Sequence, residues 1–333
     1  MKRLFGTLPT GEKIYAYTIK GNNTEAEIMT YGATLLKLDA FGVDIVGGFN
    51  GFDAYIENKG CLGMTVGRVA NRIKNASFVI DGKKYHVTKN ERENCLHGGV
   101  GFGHRVWNVK SLSENSVTFS YVSADGEDGF PAELTADVTY SLKDDALIID
   151  YKAVPNGTTP ISMTNHAYFN LDGFGGDIKN HTLKIWADTY TEVDGELIPT
   201  GNHPSVSGTR FDLREAKLLA DGLKDGIYDH NFVLCPGIYS EFEGNKLGLC
   251  AELENECLKM SVYTDQPGLQ VYSAHGLGNG ADFKGGIKQV KYGAICLEAQ
   301  TEPNSVNGGV GIYRKGETYR QTTVYKVERR DKK

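Results

Sequence analysis

Ala136-Asp137-Val138-Thr139-Tyr140-Ser141-Leu142-Lys143-Asp144-Asp145-Ala146-Leu147-Ile148-Ile149-Asp150-Tyr151-Lys152-Ala153 is the stretch that decides the fold. Its first half places Ala136, Val138, Tyr140 and Leu142 on every second position, and its second half does the same with Leu147, Ile149, Tyr151 and Ala153. Alternate side chains of a strand share a face, so each half buries one row and turns the other outward. Lys143-Asp144-Asp145-Ala146 lies between them as a turn, so the stretch reads as two antiparallel strands.

The same period runs outward in both directions. Lys13–Lys20 alternates and closes at Gly21-Asn22-Asn23, and residues 25–31 and 35–41 continue as strands. Phe78-Val79-Ile80 and residues 83–88 flank Asp81-Gly82, a two-residue hairpin loop. Residues 106–112 and 116–122 form another hairpin across Ser113-Glu114-Asn115. Helical exceptions are short: residues 52–57, and residues 213–220 with Asp212 as a cap. Strands do not alternate with long helices, which argues against a parallel α/β architecture. The expected fold is all-β, a large antiparallel β-sandwich with few short helices, occupying residues 1–333 as a single domain.

With 40% hydrophobic residues the chain can fill a substantial core, and its net charge of −6 disfavours nucleic acid or an anionic membrane as partner. No apolar run reaches the length of a membrane span. Six scattered cysteines contain no C-x-x-C, and no apolar segment follows Lys2-Arg3, so reduced thiols and a cytoplasmic location are expected.

Five stretches carry polar groups that a half-buried strand does not need. Gly67-Arg68-Val69-Ala70-Asn71-Arg72-Ile73 offers two forked cations suited to a polyhydroxylated or anionic ligand, with a surface salt bridge the alternative for at least one of them. In Asn94-Cys95-Leu96-His97-Gly98-Gly99 a histidine precedes glycines that would let backbone approach a ligand. Residues 162–171, Ser-Met-Thr-Asn-His-Ala-Tyr-Phe-Asn-Leu, read as a strand with Thr164, His166 and Tyr168 on one face and Asn165, Ala167 and Phe169 on the other. A structural histidine bonded to a carbonyl is the competing reading of His166. Asp229 and His230 stand at the mouth of an apolar strand, where Asp229 either accepts from hydroxyls or caps a turn. Glu298 interrupts the apolar run Ala294-Ile295-Cys296-Leu297, and a buried carboxylate costs several kcal/mol unless paired or hydrogen-bonded. Pairing with an arginine would make it structural; otherwise it is a working carboxylate. Neither metal-ligand spacing nor a phosphate-binding glycine loop occurs, so no metal is expected.

In this order, these stretches resemble the aldose 1-epimerase (galactose mutarotase) family over nearly the whole chain. Ala187-Asp188-Thr189-Tyr190, Leu197-Ile198-Pro199-Thr200-Gly201 and Gln266-Pro267-Gly268-Leu269-Gln270-Val271-Tyr272 add to the match. The resemblance implies a β-sandwich with its site in a cleft on one sheet. It also implies cofactor-free interconversion of the α and β anomers of a free aldohexose, galactose or glucose. By motif, Glu298 resembles the catalytic base and His166 the acid, while Asn71, Arg72, His97, Asp229 and Gln270 resemble substrate-binding residues. Reference values near 4.3 for a glutamate and 6.5 for a histidine would give this pair a narrow bell in pH. Ser273-Ala274-His275-Gly276 and Gly308-Gly309-Val310-Gly311 depart from the family pattern at the expected edge of the pocket. The choice among galactose, glucose and another aldose therefore stays open here, as do a hexose 6-phosphate substrate and a non-catalytic sugar-binding role. A glycosidase would need paired carboxylates, for which Asp229 and Glu298 are the candidates.

Overall fold

Leu134–Lys143 and Ala146–Pro155 pair antiparallel with Lys143 opposite Ala146. Asp144 and Asp145 turn the chain with positive φ angles of 48° and 59°, the conformation whose twist matches the flanking strands. Asp145 also accepts hydrogen bonds from the backbone N–H and Nδ2 of Asn23, fixing the turn against a distant loop.

The computed structural model describes residues 1–330. From the central hairpin a ten-stranded antiparallel sheet extends through Ser116–Ser123 to Asn108–Leu112 on one side. On the other it runs through Tyr319–Arg329, Leu258–Thr264, Asn245–Glu254 and Thr182–Ile185 to Lys217–Leu218, with Tyr239–Phe242 paired to Asn245–Glu254 off this path. A five-stranded sheet (Lys2–Thr7, Lys13–Lys20, Thr24–Met29, Thr34–Ala40, Val43–Asp44) packs over one end. Tyr17 meets Phe119 edge-on there, at 6.1 Å between ring centres. A four-stranded sheet of Ala187–Tyr190, Asp229–Leu234, Gly268–Tyr272 and Cys296–Gln300 covers the middle. One cluster of buried residues runs between these layers from Tyr17 to Val327.

The small sheet matters most for function. Tyr325 Oη donates to the Leu297 carbonyl at 2.9 Å, and Gln321 Nε2 to the Ala299 carbonyl at 3.0 Å, pinning the Cys296–Gln300 strand onto the large sheet. Leu269, Val271, Leu297 and Ala299 face the core. Burying side chains of this size contributes roughly 1.5–3 kcal/mol for each of the larger ones, which secures the sheet from behind. The pleat then turns Glu298 to the opposite face, with Gln270 directly across from it, Asn231 across from Gln270, and Asp229 across from Tyr272.

Two expectations need correction. Within residues 162–171 only Thr164–Asn165 forms a strand ladder, against Thr65–Val66. The segment is buried throughout and crosses between layers, so its backbone groups find partners one by one. The His166 N–H goes to Met64, that of Phe169 to Ile295 and that of Asn170 to Ile45. The second helix covers Leu219–Lys224, not 213–220, and Asp212 caps nothing. Arg214 Nε and Nη2 take both its carboxylate oxygens at 2.9 and 3.0 Å, a charged fork that outcompetes backbone amides.

Arg68 makes no surface salt bridge. It is buried, and Nη1 donates to the carbonyls of Pro131 and Ala132 and to Thr159 Oγ1 at 2.7–2.9 Å, while Nη2 donates to Ser123 Oγ at 2.7 Å. Burial pushes its pKa down to about 10, yet it stays charged at neutral pH and ties the turn before Asn71 to three other segments. Arg68→Ala would leave those buried acceptors unpaired. It should lower stability by at least about 3 kcal/mol, read as a lower urea midpoint at unchanged slope; a loss below about 1 kcal/mol would show that the clamp is dispensable.

Candidate active site

A cavity of about 310 Å³ opens on the polar face of the small sheet, and all seven residues singled out above line it. Glu298, Gln270 and Asp229 come from neighbouring strands of that sheet, and His166 from the buried crossing segment. Arg72 comes from a two-rung ladder in which it pairs with Leu96, and Asn71 and His97 stand at the end of that ladder, the His97 N–H donating to the Asn71 carbonyl. Of the residues sharing the expected face with His166, Tyr168 reaches the cavity and Thr164 does not. Ala167 and Phe169 join the core.

Local chemistry fixes each group. The Asn71 N–H donates to His97 Nδ1 at 3.2 Å, so neutral His97 carries its proton on Nε2 and is a donor there. Burial, then the nearby His166 and Arg72, hold its pKa well below 6.5. Gly98 does not bring backbone to a ligand. At φ +80° a Cβ on it would lie 2.2 Å from the Gly67 carbonyl oxygen, so it permits two backbones to meet. Arg72 forks onto Glu91, Nε to Oε2 at 2.7 Å and Nη2 to Oε1 at 2.8 Å, leaving Nη1 beside Asn71 Oδ1 at 3.5 Å. Gln270 Nε2 donates to Asp229 Oδ1 at 2.7 Å, so Asp229 serves the cavity wall and not a turn.

Glu298 is 1% exposed. Among the described residues no arginine or lysine reaches ion-pair distance of it, and its charged-group neighbour is His166, Nε2 to Oε1 at 3.7 Å. Glu298 Oε2 and His166 Nδ1 are buried without hydrogen-bond partners among the described residues. Burial raises the Glu298 pKa well above 4.5, with the Asp229 charge adding to it and Arg72 opposing. Burial lowers that of His166 to about 4.

Several wall residues carry no role that the sequence reading assigned. Glu91 acts through Arg72 from nineteen positions away, and nothing local marks it. Leu197, at φ +60°, is presented by Asp194 Oδ1, which accepts from the amides of Glu196 and Ile198. Lys59 and Cys61 sit on a turn, and burial pushes the Cys61 thiol up to about 12, so it is an inert part of the wall.

The family model described as aldose 1-epimerase matches residues 15–326. The chain belongs to the aldose 1-epimerase family. It is 38% identical to the galactose mutarotase of Homo sapiens, over 98% of this chain and 97% of that protein. It is 35% identical to the aldose 1-epimerase of Escherichia coli (strain K12), over 95% and 96%. A solved GalM/aldose epimerase homologue from C. elegans, 32% identical, matches with a TM-score of 0.86 over 95% of this chain and 99% of that one. The protein is thus an isomerase with aldose 1-epimerase activity.

If Glu298 and His166 exchange protons with a sugar, the pair holds one exchangeable proton in total, and burial inverts the order of its two reference values. Adding a second proton charges His166, which burial resists down to about 4. Removing the only one ionises Glu298, which burial also resists. The acid limit therefore follows His166 and the alkaline limit the raised Glu298 carboxyl, the reverse of the order in the free residues. Mutarotation followed from pH 3 to pH 10 should rise through about pH 4, run level, and fall on an alkaline limb belonging to the coupled pair. An acid limb above about pH 6 would contradict this assignment.

Proposed function

We propose that this protein interconverts the anomers of a free aldohexose with Glu298 as base and His166 as acid, galactose being the first sugar to test because relatives at 37–38% identity carry its name. The observation that carries this is a buried carboxylate 3.7 Å from a buried imidazole, each holding an unpartnered polar atom among the described residues.

In the ring-closed complex Glu298 takes the proton from the anomeric O1 while His166 gives one to the ring oxygen O5 as the C1–O5 bond breaks. The open-chain aldehyde turns about C1–C2 and presents its other face. His166 then takes the proton back from O5 as O5 attacks C1, and Glu298 returns its proton to the aldehyde oxygen. Protons balance and no oxidation state changes, so the cycle closes without a cofactor. Each positioned transfer contributes typically about 10²–10⁴-fold. Arg72 Nη1 and the His97 Nε2–H supply donors to sugar oxygens, Asn71 adds an amide, and Asp229 with Gln270 binds hydroxyls. Leu197 offers an apolar surface to ring C–H groups.

A hexose 6-phosphate is less suited, because Arg72 commits two of its nitrogens to Glu91; competition by inorganic phosphate would reverse that judgement. We place the chain in a reducing cytoplasm, with its six cysteines as free thiols, and take it to act as one domain.

Glu298→Gln and His166→Ala should each lower kcat for galactose at least about a hundredfold, read by polarimetry, with each variant still folded by circular dichroism. Near-normal turnover by either folded variant would remove it from the reaction. A methyl galactoside lacks the O1 proton, so it should compete with galactose without being epimerised or cleaved. Release of methanol, lost in Glu298→Gln, would replace this reading with hydrolysis. Competition without any mutarotation of free sugar would point to a binding protein.

A further inference from the structure

We infer that His275 selects the substrate, binding with Asp229 the hydroxyls at the end of the sugar remote from the anomeric carbon. This rests on the proposed epimerase reading of the same cavity.

Among the protein's eight histidines, only two have a buried ring nitrogen with no hydrogen-bond partner among the described residues, His166 and His275. Both line the cavity. Others are committed elsewhere: His97 to the Asn71 amide, His181 to the Leu171 amide and Asn180, His203 to Glu302, and His230 to the Asp229 amide. A buried nitrogen left unpaired in a well-satisfied interior calls for an explanation. On His275 the other ring nitrogen, Nε2, also has no partner among the described residues and, unlike Nδ1, is not closed off, so on this cavity-lining ring it is the atom a sugar can reach.

Its placement is built rather than incidental. The Ser273 N–H and Oγ both donate to the Tyr228 carbonyl, at 3.0 and 3.1 Å, locking the strand end. Ala274 is fully buried, and the Gly276 N–H donates to Tyr272 Oη at 3.1 Å, closing a turn that presents the imidazole. The ring meets that of Tyr272 edge-on at 5.0 Å. Burial lowers its pKa below 6.5, against the pull of Asp229, so the ring is neutral. Because no protein group fixes its tautomer, it can donate to or accept from a sugar hydroxyl as the configuration there demands.

Register places this corner away from the chemistry. Asp229 pairs with Tyr272, whereas Glu298 pairs with Gln270 one strand further on. The Asp229 and Glu298 strands are thus two spacings apart, roughly 10 Å between backbones, a gap that a pyranose with its hydroxyls can bridge. With O1 at Glu298, hydroxyls on the far side of the ring face Asp229 and His275. A site that pairs a hydroxyl with fixed polar groups discriminates strongly against sugars lacking it.

The test compares wild type, His275→Ala and His275→Gln by polarimetry on galactose and on galactoses deoxygenated singly at C3, C4 and C6. His275→Ala should raise KM for galactose roughly tenfold with kcat within about threefold, since it removes binding and not proton transfer. His275→Gln, which keeps a polar atom near the Nε2 position, should recover KM to within about threefold. For one deoxy sugar, the one missing the contacted hydroxyl, the kcat/KM penalty of His275→Ala should vanish. An equal penalty on every sugar, or a fall in kcat at unchanged KM, would overturn the proposal. Should His275→Ala lose its fold by circular dichroism, His275→Leu keeps the bulk and carries the same comparison. A wild-type protein without mutarotation of any free aldose would instead overturn the epimerase reading itself, and this inference with it.

Discussion

The burial of Glu298 beside His166 is the constraint on which the rest of the site depends. Taking an ionised carboxylate out of water costs several kcal/mol even after the protein relaxes, and no arginine or lysine among the described residues offsets this at contact distance. The fold imposes the position through its other face. Leu297 and Ala299 sit in the core and their carbonyls accept from Tyr325 and Gln321. With the strand fixed so, the pleat leaves Glu298 no direction but the cavity. Apolar burial behind the sheet thus stabilises a polar arrangement in front that would not hold by itself.

That arrangement has a consequence for the proposed reaction. Opening the sugar ring moves a proton onto Glu298 and takes one from His166, so the open-chain complex contains a neutral carboxyl and a neutral imidazole. Burial favours that state for both groups, raising the one pKa and lowering the other. The ring-closed complex, with an ionised carboxylate and an imidazolium, is the strained charge state of the pair. The aldehyde is the less stable form of the sugar, while the neutral pair is the more stable form of the site. The two opposing preferences bring the intermediate closer in energy to the bound ring, which is what a reversible interconversion requires.

Period two made most of the framework legible, because strands with one face in the core must alternate. The 144–145 turn and the 81–82 hairpin loop fell where the sequence placed them. Residues 162–171 were misread because a segment buried on all sides satisfies its backbone by tertiary contacts, and alternation then no longer implies a ladder. His166 and Tyr168 still face the cavity, but held by Met64 and other scattered partners. Glu91 was invisible for a related reason: an acid nineteen residues from its arginine carries no local signal. The order of the two pKa values was equally out of reach, since it comes from burial that only the assembled layers create.

Arg72 shows how finely the charge in this site is balanced. A free guanidinium facing Glu298 would hold it ionised, weakening it as a proton acceptor and stabilising the ring-closed charge state. Glu91 prevents this by taking Nε and Nη2 in a charge-assisted fork. Much of the positive charge is thereby offset on the side away from the reaction, while Nη1 remains beside Asn71. What Glu298 receives from Arg72 is a downward pull that burial and Asp229 together outweigh. His97 completes the balance by being a neutral donor, its tautomer fixed by the Asn71 amide, so it can polarise a sugar oxygen without adding charge. The proposed ring-opening pair therefore sits in a cavity rich in donors and acceptors yet nearly compensated in charge, where either proton position remains accessible to it.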